Sequence, residues 1–256
     1  MNTTAMSGPA TLSLSAIAKS FGQVHVLEAI DLDIARGERH ALIGPNGAGK
    51  STLFNLISGA FAPTSGSITL NGASVAGLVP HRLNRAGLGR SFQITHIFDK
   101  LTVRENIRLS VMGKFDKRWS FFRRGRVWDA IDRETEELIA GAKLTRQAET
   151  NAGELAYSEQ RAVEICMTVG TGADVILLDE PTAGMSREET SHIIAFIREM
   201  TAGRTLVMVE HDMDVVFTLA DRVSVLVNGR ILLTATPAEI RADARVREAY
   251  LGEGEH

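Results

Sequence analysis

Residues 44–51 read GPNGAGKS, and this spacing of three glycines, a lysine and a serine suits a cradle for phosphate. Glycines at 44, 47 and 49 let successive backbone N–H groups turn inward as an anion nest. A helix starting directly afterwards adds the positive end of its dipole. In the pattern G-x-x-x-x-G-K-[ST], Lys50 reaches the β- and γ-phosphates and the Ser51 hydroxyl is placed to ligate Mg²⁺. Average residue frequencies produce the pattern by chance in about one chain per hundred of this length. Here it also has the required context, between a predicted strand, HALIG (40–44), and a predicted helix through about Ser58.

VILLDEP (175–181) supplies a second group. A continuous apolar run is the pattern of a buried parallel strand, and it would deliver Asp179 and Glu180 to the sheet edge where ligands bind. Asp179 suits the Mg²⁺ shell, directly or through water, and Glu180 suits polarising an attacking water. GELAYSEQRAVEI (153–165) opens another helix whose N-terminus can face an anion. Ala156 brings no side-chain oxygen to that end. Ser158 does, and it either turns its hydroxyl to a phosphate or N-caps the helix.

The elements around these groups alternate between strand and helix. TLSLSAIA (11–18), IDLDI (30–34) and SGSITLNG (65–72) read as strands, the last with its turn. A mixed helical middle extends from about Gln93 to Gly170. SREETSHIIAFIREM carries Ser186 and Glu189 at capping-box spacing, LVMVE (206–210) is a second buried strand, and RVSVLVNGRILLT is a hairpin turning at Asn228-Gly229. The pattern predicts an α/β fold with a mostly parallel sheet, an N-terminal antiparallel β portion and an inserted helical subdomain.

Composition bounds the rest. The 256 residues are 44% hydrophobic, enough for a substantial core, and the net charge of −3 argues against a nucleic-acid-coating surface. Cys166, the single cysteine, is expected to be a buried structural thiol in a reducing compartment. The N-terminus lacks the features of a signal peptide, no run of 18 apolar residues occurs, and residues 1–9 are expected to be flexible.

Taken together, these motifs resemble the nucleotide-binding subunit of ABC transporters. GPNGAGKST (44–52) matches Walker A, so Gly44, Pro45, Asn46, Gly47, Ala48, Gly49, Lys50, Ser51 and Thr52 would bind ATP. VILLDE (175–180) matches Walker B, Gln93 the Q-loop, PTAGM (181–185) the D-loop and His211 the switch histidine. LAYSEQR lies where the signature normally reads LSGGQQR, so Ala156, Tyr157, Ser158 and Glu159 would meet a partner's nucleotide. Phe21 matches the aromatic that stacks on adenine. The resemblance implies a P-loop (RecA-like) core, one nucleotide-binding domain over 1–256 and a helical subdomain over about 94–170. It further implies Mg²⁺ held by Ser51, Gln93 and Asp179, with Glu180, His211, Lys50 and Gln93 as catalytic groups.

Phrases such as GRSFQITHIF, LTVREN and REAYLGEGE narrow the resemblance to the ATPase of branched-chain amino acid importers. Similar subunits serve importers of urea, amides or aromatic acids. The implied partners are integral membrane permease subunits, a second ATPase, most simply in a heterodimer, and indirectly an extracytoplasmic binding protein, with no nucleic acid. The implied location is peripheral, on the cytoplasmic face of the inner membrane. A soluble ABC ATPase of translation or repair usually has two cassettes or a long coiled-coil insertion, and this chain has one cassette and no long heptad run. A P-loop kinase or GTPase leaves the signature helix and the switch histidine without a role.

Two segments stay open. Ile94, Ile97, Phe98 and Leu101 can pack in the core, wall a groove for a short helix of a membrane subunit, or do both. KFDKRWSFFRRGR (114–126) has six basic residues, four aromatics and one acid. It reads first as a solvated linker, then as a contact for anionic lipid, and last as a nucleic-acid contact.

Overall fold

The computed structural model describes residues 10–91, 97–115 and 124–251. Residues 1–9, Gln93, Ile94 and most of the basic-aromatic segment lie outside the described residues.

Two sheets stack around one set of side chains. Strands β1 (Ala10–Phe21), β2 (Val24–Ala35), β4 (Ser65–Leu70) and β5 (Ala73–Ser74) form an antiparallel sheet in the order β2-β1-β4-β5. In β1, Leu12 and Leu14 point inward while Ser15 is exposed. The strict alternation would then bury Ala16 and expose Ile17. A bulge at Ala16, whose φ is 48°, shifts the register so that Ile17 is buried instead.

The core sheet contains β3 (Arg39–Ile43), β6 (Leu88–Arg90), β7 (Val175–Asp179), β8 (Thr205–Val209), β9 (Arg222–Val227) and β10 (Arg230–Ala235). Their order is β10-β9-β3-β8-β7-β6, with every neighbouring pair parallel except the β9–β10 hairpin. The turn residues Asn228 and Gly229 both have positive φ, 48° and 73°, as a two-residue hairpin of this hand requires.

The strands are apolar on both faces because the sheet is covered on both. Ala41, Ile43, Ile176, Leu178, Leu206 and Met208 face a helical layer. Their alternates Leu42, Val175, Leu177, Val207 and Val209 face the antiparallel sheet and helix α1 (Lys50–Ile57). Phe54 of α1 is fully buried there, which contributes roughly 1.5–3 kcal/mol by removal of apolar area from water.

The helical layer includes α3 (Val103–Lys114), α4 (Arg124–Gly141) and α5 (Tyr157–Gly170), which pack on one another between β6 and β7 in chain order. Helix α6 (Arg187–Met200) starts with the full Ser186–Glu189 capping box, and Thr102–Glu105 forms another before α3. Cys166 is buried within α5, and burial pushes its thiol pKa well up. Three further short helices, α7 (Met213–Leu219), α8 (Pro237–Ala242) and α9 (Ala244–Leu251), close the C-terminal end. Helix α2 (Pro80–Arg85) precedes β6. Among the described residues, no helix is long and apolar enough to cross a membrane.

Candidate functional site

The parallel register brings the chemistry to one edge. Leu42, Val209 and Asp179 are paired across β3, β8 and β7, so the residues just beyond them leave the sheet side by side. Those residues are the Gly44–Thr52 loop, Glu180 and His211.

Glycine at two points of the loop is a packing requirement. A Cβ on Gly44 would stand 2.0 Å from the carbonyl oxygen of Leu226, and one on Gly49 2.7 Å from Leu27 Cδ2. Both have positive φ, 150° and 103°. The loop is stitched from outside, since Gly229 N–H donates to Ala48 O at 3.1 Å. Lys50, almost fully buried, folds back so that Nζ donates to the carbonyls of Gly44 at 2.5 Å and Pro45 at 2.8 Å. Asn46, Gly47 and Ser51 are exposed, and Pro45 and Thr52 half-buried. Helix α1 has neither a side-chain cap nor an acidic residue in its first turn, which leaves its leading N–H groups for an anion.

Asp179 is buried at the end of β7, with Oδ2 3.2 Å from the Arg90 guanidinium. Burial raises its pKa, and the Arg90 charge opposes that rise. Arg90 also donates to Asn55 Oδ1 at 2.7 Å and Ser58 Oγ at 2.5 Å, and its guanidinium lies 5.0 Å from the Phe54 ring centre. It thereby joins β6, α1 and the Asp179 carboxylate. No pattern in the sequence marks Arg90, because a three-residue strand with one large apolar residue gives almost no periodic signal.

Ser51 and Asp179 offer hard oxygen donors, the kind Mg²⁺ takes. Among the described residues there is no cluster of three His, Cys, Asp or Glu side chains. The donors therefore fit an ion held by one carboxylate, one hydroxyl and substrate phosphates rather than a protein cage. Gln93, the third expected ligand, lies outside the described residues.

Glu180 has a positive φ of 44°, an uncommon backbone for a residue with a side chain, and its N–H is held by Val209 O at 2.9 Å. Its Oε1 lies 2.9 Å from His211 Nε2, and the histidine is the more exposed of the two, at 47% against 22%. Glu210, buried between them in sequence, organises both loops. Its Oε1 accepts from Thr182 N–H and Oγ1 at 3.1 and 2.5 Å, and its Oε2 from His211 and Asp212 N–H at 2.9 and 3.3 Å. In the sequence Glu210 was visible only as the end of an apolar run.

At LAYSEQR, α5 starts at Tyr157 with Ala156 as its N-cap. This corrects one alternative for Ser158, which sits inside the first turn and does not cap the helix. Glu159 completes half of a capping box: Oε2 accepts from Ala156 N–H at 3.1 Å and Oε1 from Gln147 Nε2 at 2.9 Å. Ala156 has no oxygen to return to the Glu159 N–H. The Glu189 carboxylate has its pKa lowered by hydrogen bonds from the Ser186 N–H and hydroxyl and, to a lesser degree, from the Ser158 hydroxyl, which faces it. Arg161, only 1% exposed, donates to Glu164 and to the Asp179 carbonyl, each at 2.5 Å. The helix is thus anchored to the strand that presents Asp179. Tyr157 is 46% exposed, beside Gly184.

Phe21 ends β1 with 45% of its surface exposed. It makes an edge-to-face contact with Phe61, ring centres 5.5 Å apart, and Lys19 Nζ lies 4.8 Å from its ring centre. Phe61 had no sequence signal of its own.

A glycine-built loop between strand and helix, beside a strand ending in acids, defines a P-loop nucleotide-binding protein. Residues 27–183 match the family described as ABC transporter, and residues 230–256 match the branched-chain amino acid ATP-binding cassette transporter family. The chain belongs to the ABC transporter ATP-binding family, and it is an ABC-type ATP hydrolase. It is 34% identical to the high-affinity branched-chain amino acid transport ATP-binding protein BraF of Pseudomonas aeruginosa, over 94% of this chain and 98% of BraF. It is 35% identical to LivG of Escherichia coli K12, which bears the same description, again over 94% and 98%. Among solved structures it is similar to the ADP conformation of MJ1267, an ATP-binding cassette of an ABC transporter. That likeness has a TM-score of 0.81 and 25% identity, covering 95% of this chain and 99% of that one.

Proposed function

We propose that the chain is the ATP-hydrolysing subunit of an importer for branched-chain amino acids, seated on the cytoplasmic face of the inner membrane. In this reading two ATPase subunits close head-to-tail, each ATP held between one Walker A loop and the partner's signature helix. The observation that carries it is the shared sheet edge, where the Gly44–Thr52 loop, Asp179 and the Glu180–His211 pair emerge in register. The cargo reading is supported by the relatives' names and by the match over residues 230–256. Residues 94–170 are taken as the helical subdomain. The exposed Phe98 supports a groove there for a permease helix.

Water attacks the γ-phosphorus as Glu180 accepts its proton. The bond from that phosphorus to the bridging oxygen breaks, and its electron pair leaves with the β-phosphate, giving ADP and phosphate. Lys50 exchanges its loop carbonyls for β- and γ-phosphate oxygens and offsets their charge. His211 leaves Glu180 and turns Nε2 to the γ-phosphate, so that nucleotide binding itself frees the base. Phe21, with Phe61 behind it, stacks on adenine. When bound, Mg²⁺ neutralises phosphate charge, and Ser51, Asp179 and Gln93 would hold it. Ala156, Tyr157, Ser158 and Glu159 meet the partner's nucleotide.

The test is purification with the membrane subunits, followed by ATPase assays in proteoliposomes. The expected result is stimulation by a binding protein loaded with leucine, isoleucine or valine, and a second, different ATPase in the complex. Stimulation by urea, amides or aromatic acids alone would move the cargo. Failure to copurify with any membrane protein would favour a soluble ATPase, and two identical ATPases would make the pair a homodimer.

A further inference from the structure

Behind the switch loop lies an apolar groove of about 390 Å³, open to the surface on one side. One wall is α7, which begins at Met213, two residues after His211, and contributes Met213 and Phe217. The facing wall is Ile240 of α8 with Val246 and Tyr250 of α9. Ile240 and Val246 are buried, and the lining is almost wholly apolar. Both facing helices lie in the segment matched by the branched-chain transporter family, which no residue of the proposed ATPase machinery occupies.

Two arginines complete the lining, Arg241 and Arg247, both exposed and therefore at the mouth. The Arg241 guanidinium stacks over Phe217, 4.4 Å from the ring centre, which leaves its in-plane N–H groups open to an acceptor. Among the described residues neither arginine makes an ion pair, whereas Arg39, Arg230 and Arg245 pair with Asp221, Glu28 and Asp243. Two acids beside them are already engaged: Asp243 holds Arg245, and Glu239 caps α8 through Thr236.

We propose that this groove binds a short aliphatic carboxylate, its hydrocarbon body against Ile240, Val246 and Phe217 and its head between the two guanidiniums. The volume falls in the range of small-molecule sites, about 300–1,000 Å³, and the mix of apolar wall and few polar groups is typical of them. A free amino acid fits poorly, because the lining contains no carboxylate for its ammonium group. The five residues after Leu251, GEGEH, could satisfy arginines but have no aliphatic side chain to fill the apolar part. A ligand seated on Met213 braces the start of α7 and, through Asp212 and the Glu210 contacts, the loop carrying His211. Bound carboxylate therefore holds His211 back and slows hydrolysis. This second half rests on the proposed role of His211; the binding half does not.

The test uses the full chain with 4-methylpentanoate as probe, leucine as its ammonium-bearing counterpart, and calorimetry plus thermal unfolding as readouts. Saturable binding of 4-methylpentanoate is expected, at least about tenfold tighter than leucine. Arg241→Ala with Arg247→Ala should weaken it at least about tenfold, the scale of one charge-assisted hydrogen bond. Phe217→Trp, which fills the groove, should abolish it. Each variant's unfolding curve is recorded, so that lost binding is separated from lost fold. Binding that is absent, equal for leucine or indifferent to both arginines overturns the site. In the assembled transporter the probe should lower ATPase turnover at least about threefold, and not in the double arginine variant. Binding without that effect overturns the coupling to His211 and leaves the site standing. Loss of ATPase activity in His211→Ala with the binding unchanged would separate the two readings.

Discussion

His211 Nε2 rests 2.9 Å from Glu180 Oε1, so the two groups read as sensor and base hold each other across the ends of neighbouring strands. This contact adds to the Thr182–Glu210 hydrogen bond in tying together the two loops that open a nucleotide site. Glu180→Gln keeps the shape and removes the base. It is expected to leave ATP binding nearly intact and to lower hydrolysis at least about a hundredfold. Parallel binding and turnover assays check this, and near-normal turnover would remove Glu180 from its role.

The exposed Phe21–Phe61 pair makes a prediction about the base. Phe21→Ala should weaken ATP binding by about 1–3 kcal/mol, with little selectivity between ATP and GTP in the unaltered chain, because every base has a π-face. Phe61→Ala, which removes only the supporting ring, should cost less. Equilibrium binding with fluorescent nucleotides gives both numbers.

At the signature helix the missing oxygen of Ala156 is a testable deficit. Thr102, Ser186 and Thr236 each complete a capping box with a glutamate three residues on, and Ala156 completes half of one. Ala156→Ser should raise stability by roughly 0.5–2 kcal/mol and also raise ATPase activity modestly in the assembled transporter. Denaturant melts and turnover measured side by side distinguish a capping gain from a phosphate contact, since only the latter changes turnover.

Asp243 contributes to the acid limb of stability at the C-terminal end. Hydrogen bonds from the Arg245 side chain, then from Arg245 and Val246 N–H, lower its pKa from 3.8 to about 2. A depressed carboxylate favours the folded chain above its ordinary pKa and loses that effect as pH falls towards the folded value. The melting-temperature gap between wild type and Asp243→Asn should thus be constant above about pH 5, shrink as pH falls, and vanish only below about pH 2.

Cys166 should be inert in the folded chain. It is fully buried with its thiol pKa raised by burial, so thiol reagents should label it only on unfolding, at the rate of global opening. Labelling under native conditions at the rate of a free thiol would place α5 among the mobile elements.

Much of the architecture is legible in the sequence because its strands are long or carry an unbroken apolar run. VILLD and TLVMV need no context, and Asn228-Gly229 announces its own turn. The stretch from Ala73 to Arg90 was unreadable for the opposite reason: β5 has two residues, β6 three, and α2 buries only Leu83. The site divides in the same way. Lys50, Asp179, Glu180 and His211 belong to motifs with fixed spacing. Arg90, Glu210 and Phe61 act through contacts between distant segments, and no local pattern marks them. Ser158 shows a further limit, since composition gave it a hydroxyl but only the packing of α5 on α6 shows that the hydroxyl faces Glu189.

The stitch between Gly229 and Ala48 sets an order of events for the growing chain. The loop at 44–52 leans on the carbonyl of Leu226 and on the hairpin turn, and that turn in turn accepts from Glu28 N–H at 2.9 Å. Segments near residues 28, 48 and 229 must therefore meet before the cradle has walls, a closure spanning most of the sequence and slow by the rule for non-local contacts. A ribosome that has made the first two hundred residues has made every glycine of the cradle and still has no phosphate site. Nucleotide binding thus waits on the hairpin, and it certifies that synthesis has run past Gly229.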